Sequence, residues 1–125
     1  MNKINVVILS SAQLNDSEVL KEHSSEIINF LTSHLPSESF ITIGVIKNVN
    51  LINFLEENGY EISRKNQRLG SLENSNKKLI RENDLVLFFR FLNNPNIDDF
   101  IEYAKQIDGK NIKILNLTQI ASNIC

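Results

Sequence analysis

The chain has 125 residues, 42% of them hydrophobic and 22% charged, which is one domain's worth of core and too apolar for a disordered segment. Thirteen Lys and Arg against fifteen Asp and Glu leave a formal charge of −2, so general nucleic-acid binding is not expected. Eighteen asparagines stand beside four glycines and two prolines, and that scarcity of glycine excludes the usual glycine-rich phosphate loops.

Two hydrophobic periods alternate along the chain. Ile4 to Leu9 is a near-continuous β-branched run, the pattern of a strand covered on both faces. Asn15, Asp16 and Ser17 offer helix N-caps, and Val19, Leu20, Ile27, Ile28, Leu31 and Leu35 recur at helical spacing until Pro36. Phe40 to Val45 predicts a second strand. Asn48 or Asn50 caps a short helix carrying Leu51, Ile52, Phe54 and Leu55, and Asn58-Gly59 stops it. Tyr60 to Ser63 is a brief third strand, followed by a polar stretch from Arg64 to Gly70 and a helix from about Ser71 to Arg81. Asp84 to Phe89 reads as a fully buried strand. Asn93-Asn94-Pro95 turns the chain into a helix bearing Ile97, Phe100, Ile101, Ala104 and Ile107, which ends at Asp108-Gly109. Ile112 to Leu117 is the last strand, and Thr118 caps a final short helix.

Strand and helix therefore alternate with short connections, which predicts right-handed βαβ units. The expected fold class is α/β, a single Rossmann-like three-layer αβα sandwich over residues 1–125 with a mostly parallel five-stranded sheet. Ligands of such folds bind at the carboxyl ends of the strands, near the point where strand order reverses. Function is then sought in the loops after Leu9, Val45, Ser63, Phe89 and Leu117.

Several functions of small α/β chains fail on residue type. The loop after the first strand, Ser10-Ser11-Ala12-Gln13, has no acidic pair for a phosphorelay magnesium and no glycine for a flavin phosphate. Neither G-x-x-x-x-G-K-[ST] nor G-x-G-x-x-G occurs. The lone Cys125 forms no intrachain disulfide and leaves a cysteine phosphatase without its nucleophile; a reduced, cytoplasmic setting is expected. No apolar run approaches the roughly 18 residues of a membrane span, so no membrane association is expected. His23 and His34 share one face of the first predicted helix but lie about 16 Å apart, too far to share an ion. Both are expected at the surface or its boundary, and neither a metal nor a cofactor is expected.

The informative segment runs from Leu69 to Phe89. Gly70 opens a helix and lets backbone approach a ligand, while Ser71 and Asn74 supply donors at the helix N-terminus, and the Asp84-led apolar strand follows. With this order of Gly70, Asn74 and Asp84, the chain resembles the SLOG superfamily of Rossmann-like nucleotide-binding domains. Within it, the likeness is to the small stand-alone branch, with its Gly-x-x-x-Arg-Asn helix start. That superfamily includes DNA-processing proteins and cytokinin-activating phosphoribohydrolases. Glu73 stands where the family has Arg, Gly44-Val45-Ile46 replaces its Gly-Gly-Ala, and Asn93 to Asp99 replaces its Gly-Thr loop.

The resemblance implies a pocket for a nucleotide-like small molecule, with Ser10, Ser11, Gly44, Asn48, Gly70, Ser71, Asn74, Asn93 and Asn94 as ligand-binding candidates. Asparagine tolerates left-handed backbone and both donates and accepts, so it can take over part of glycine's role there. Lys47, Arg64, Lys65 and Arg68 would form a positive rim. Glu73 is the candidate catalytic residue, as a general base or as the stabiliser of a ribose-derived oxocarbenium ion. Asp98, Asp99 and Glu102 open the fourth helix, where the helix dipole favours carboxylates. The leading expectation is a binding or sensing domain for a nucleotide-derived small molecule, without catalysis. The alternatives are an N-glycosidic-bond hydrolase or transferase acting on a nucleoside or nucleotide, and a protein-interaction module. In the last case Phe88, Phe89, Phe91 and Leu92 would spill from the strand end onto an oligomer surface; otherwise Phe88 and Phe89 are expected in the core, with Phe91 and Leu92 at an interface or pocket wall. A homodimer is the expected oligomer.

Overall fold

A computed structural model of the chain describes residues 4–44, 49–63, 71–91 and 96–117. Its strands are β1 (Ile4–Ser10), β2 (Ser39–Ile43), β3 (Ile62–Ser63), β4 (Leu85–Phe91) and β5 (Asn111–Leu117). Its helices are α1 (Ser17–Glu22), α2 (Ser24–His34), α3 (Val49–Glu57), α4 (Leu72–Glu82) and α5 (Asn96–Lys105), with a 3-10 turn at Ala12–Asn15. The strands form one sheet in the order β3-β2-β1-β4-β5, and every neighbouring pair is parallel. The fold is thus α/β and Rossmann-like, with a five-stranded all-parallel sheet flanked by helices.

Side chains alternate across each strand and so feed two separate cores. Val6 and Ile8 of β1 and Leu85, Leu87, Phe89 and Phe91 of β4 pack with Leu20, Ile27, Leu31, Leu51 and Leu55 from α1, α2 and α3. Val7 and Leu9 of β1 and Val86 and Phe88 of β4 face the other way, onto Ile80 of α4 and Ile97, Ile101 and Ala104 of α5. The continuous apolar runs seen in the sequence are the consequence: β1 and β4 are covered on both faces. Each fully buried side chain of this size contributes about 1.5–3 kcal/mol. Gly59 takes positive φ just beyond α3, and Gly109 takes it in the turn from Ile107 to Lys110, four residues after α5 ends at Lys105, earlier than the sequence predicts.

One expected helix is two. Asp16 caps α1 by accepting from the Glu18 N–H at 2.9 Å. The helix then breaks at His23 (φ −106, ψ 13), where the Ser24 hydroxyl donates to the Lys21 carbonyl at 3.1 Å. The break lets α1 pack on α3 while α2 reaches β5. It also places His23 differently from the sequence expectation. His23 is not at the surface but 1% exposed, because it sits three residues after Leu20 and four before Ile27 on the buried stripe.

Candidate functional site

The direction of strand succession reverses between β1 and β4, so the carboxyl end of that pair is the topological switch point. Ser10 is opposite Phe89 there, and Ser10 and Ser11 are both buried. Ser11 continues the ladder beyond the end of β1. Its N–H donates to the Phe89 carbonyl at 3.0 Å, and its Oγ accepts the Phe91 N–H at 3.2 Å. A serine does this because its short hydroxyl can stand in for the next backbone carbonyl.

Gly44 follows β2 and donates its N–H to the Ile8 carbonyl at 2.8 Å. A Cβ built on it would lie 2.1 Å from Leu9 Cδ2 and 3.1 Å from Asn76 Oδ1. A side chain at this position would therefore force the buried Leu9 side chain aside. The side chain that reaches it from α4 is Asn76, 0% exposed, and the adjacent Ser75 is 4% exposed. Neither is marked by a motif in the sequence. Their spacing contained the signal: Ser75 and Asn76 lie three and four residues after Leu72, and four before Leu79 and Ile80. The buried face of α4 is thus apolar at Ile80 and polar at Ser75 and Asn76.

Asn74 and Glu73 lie off that stripe. Ser71 is the N-cap of α4, its Oγ accepting the Asn74 N–H at 3.1 Å, so the local backbone donor is used within the helix start. The Asn74 side chain is exposed. Glu73 is exposed as well and pairs with Lys77 at 3.0 Å, one helical turn on. With Lys77, Asp99, Phe100 and Tyr103 it lines a surface groove of about 480 Å³ between α4 and α5. The structure thus brings Ser10, Ser11 and Gly44 together at the strand ends, with Ser71 and Asn74 at the start of the helix that packs there. Asn48, Gly70, Asn93 and Asn94 lie outside the described residues, as do Leu92 and the cationic rim of Lys47, Arg64, Lys65 and Arg68.

Other asparagines have structural duties. Asn50 N–H donates to Asn15 Oδ1 and its Nδ2 to the Asn15 carbonyl, tying α3 to the 3-10 turn. Asn58 and Asn83 close helix ends by donating to the carbonyls of Phe54 and Leu79, both at 2.8 Å. No asparagine among the described residues adopts positive φ, so none there takes over glycine's conformational role.

Arg90, also missed in the sequence, is the cation that β4 carries beside the strand ends. Its Nη2 donates to Asp98 Oδ2 at 3.1 Å, its Nε donates to Oδ1, and its Nη1 donates to Asn116 at 3.3 Å. The pair clamps the first turn of α5 to β4 and β5. Hydrogen bonding from Arg90 holds the Asp98 carboxyl below the usual carboxylate range, and the same bond raises the Arg90 guanidinium.

Phe91 was expected at an interface or pocket wall. It is instead 4% exposed in the core beneath α1 and α2, edge-on to the His23 ring at 5.5 Å. Phe88 and Phe89 are fully buried, as expected. His23 Nδ1 donates to Glu26 at 2.9 Å, since a carboxylate only accepts, and its Nε2 is buried without a hydrogen-bond partner among the described residues. No group of three or more potential metal ligands occurs among the described residues. Compared with protein-family models, with curated proteins and with solved structures, the chain finds no match in any of the three.

Proposed function

We propose that the chain is a binding domain for a nucleotide-derived small molecule, seated at the carboxyl ends of β1, β2 and β4. The observation that carries this is the change of the buried layer from apolar to polar at that end. Ile80 gives way to Asn76 and Ser75 along α4, with Asn76 against Gly44 at the end of β2, and Ser10 and Ser11 are buried at the end of β1. A core gains nothing from such a change, because buried polar groups need partners and add less than apolar ones. A crevice at the switch point of a doubly wound parallel sheet is where ligands of this fold class bind. Binding without bond cleavage fits Glu73, which is solvent-exposed and neutralised by Lys77. The SLOG-like start of α4 supports the same ligand class. The site is cytoplasmic in this reading, in keeping with the single cysteine; among the described residues no helix is long and apolar enough to cross a membrane.

A thermal-shift series with AMP, cyclic AMP and ADP-ribose tests the reading, since a ligand that binds the folded state raises its melting temperature. A concentration-dependent rise with at least one is expected. Unchanged melting with all three would overturn it.

A further inference from the structure

The sheet has two edges of unequal kind. β3 is two residues long and offers almost no backbone to a neighbour. β5 pairs with β4 at all seven positions from Asn111 to Leu117, without a bulge. It ends the strand order, so its outer side has no strand partner among the described residues. Proteins blunt such an edge with shortness, proline, bulges or charge, because an open ladder of N–H and C=O groups is a template for another strand. β5 has none of the first three and one charge, Lys113. Ile112 and Ile114 are only partly buried against one core and Leu115 against the other, so both faces of the strand stay incompletely covered.

We infer that β5 pairs antiparallel with β5 of a second copy across a twofold axis at Ile114, merging the two sheets into one. A twofold axis makes identical edge strands antiparallel and the contact self-complementary. The sequence of the strand fits that arrangement. Ile114 is the middle of the seven residues, so this register uses the whole strand. It sets Ile114 opposite Ile114, Ile112 opposite Asn116, and Lys113 opposite Leu115. Directly opposed residues share a face, so Ile112 and Ile114 of both copies form one apolar strip on the α5 side. The lone charge never faces itself, whereas a register centred on Lys113 would set two ammonium groups against each other. Edge pairing of about 23 Å gives a small interface, so a weak, concentration-dependent dimer follows.

The test is sedimentation velocity of the full chain over a loading series, with the Leu115→Lys and Leu115→Glu variants beside it. Wild type is expected to move from the 14.3 kDa monomer towards twice that mass as concentration rises. Leu115→Lys places like charges opposite Lys113 and abolishes the dimer. Leu115→Glu places opposite charges there and retains it, with at least a tenfold tighter association than Leu115→Lys. Both variants disturb the same half-buried site, so a fold defect would affect them alike and only the sign of the charge separates them. A wild-type chain that stays monomeric throughout, or a dimer that the two variants weaken equally, would overturn the inference.

Discussion

At the amino ends of the strands, polar side chains close the backbone. Asp84 accepts the Asn5 N–H at 3.1 Å, Asn83 donates to the Leu79 carbonyl, and Lys110 Nζ donates to the carbonyls of Arg81 and Asn83. Each of these contacts satisfies a group left over where a helix or strand stops. At the carboxyl ends, Ser10, Ser11, Ser75 and Asn76 are all buried, whereas Asn83 is the buried polar side chain of the amino ends among the described residues. At the amino ends the polar groups finish elements; at the carboxyl ends Ser11 does so too, and Ser10, Ser75 and Asn76 are buried there besides. That difference locates the candidate site, and it can be tested one end at a time.

The largest effect is expected from Gly44→Ala. Its Cβ would collide with Leu9, which is 2% exposed and has little room to yield. Denaturant unfolding should show a loss of about 2–3 kcal/mol, and a variant as stable as wild type would contradict the close approach of Leu9 to Gly44. Ser11→Ala comes next. Removing the acceptor of the buried Phe91 N–H should cost about 1–2 kcal/mol and weaken ligand binding as well. At the amino end, Asp84→Ala removes one exposed acceptor, with an expected loss of about 0.5–1 kcal/mol and unchanged binding. Equal binding losses from Ser11→Ala and Asp84→Ala would erase the distinction between the two ends. Asn74→Ala should alter stability by less than about 0.5 kcal/mol, since the Ser71 cap uses only the Asn74 backbone. If the exposed amide serves the ligand, the affinity measured by calorimetry falls.

The clamp between Arg90 and Asp98 is read out by pH. Asp98 titrates below its unfolded value because Arg90 hydrogen-bonds the carboxylate. Its stabilising contribution is therefore complete above the unfolded carboxylate value and is lost as the pH falls through the depressed folded one. Asp98→Asn should flatten the acid side of the stability curve. A curve that keeps its wild-type acid slope would show that the pair carries no such linkage. Both groups are partly exposed, so this effect is the smallest of the five.

Much of the fold was legible because it depends on local pattern. The runs Ile4–Leu9 and Asp84–Phe89 point to doubly covered strands, and Gly59 marks a helix exit that positive φ explains, while Gly109 marks the turn before β5 rather than the end of α5. The site was less legible. A motif drew attention to Asn74, whereas the spacing of Leu72, Leu79 and Ile80 pointed to Ser75 and Asn76, whose polar character hid them on an apolar stripe. His23 was hidden in the same way, between Leu20 and Ile27. Arg90 was invisible for another reason: its partners Asp98 and Asn116 lie on α5 and β5, and a long-range pairing has no local signature. The Ser11 bond to Phe91 spans 80 positions and is equally beyond any window of sequence.

The central claim is that the polar carboxyl end receives a nucleotide-derived ligand. It is tested most directly by amide proton–nitrogen NMR spectra of the full chain during titration with AMP, cyclic AMP and ADP-ribose in turn. Saturable shifts are expected at Ser10, Ser11, Gly44 and the first turn of α4 from Ser71 to Asn76, with Asn5, Asn83 and Lys110 at the opposite end unmoved. Spectra that do not change with any of the three, or shifts confined to the amino end or to the α4–α5 groove, would contradict it.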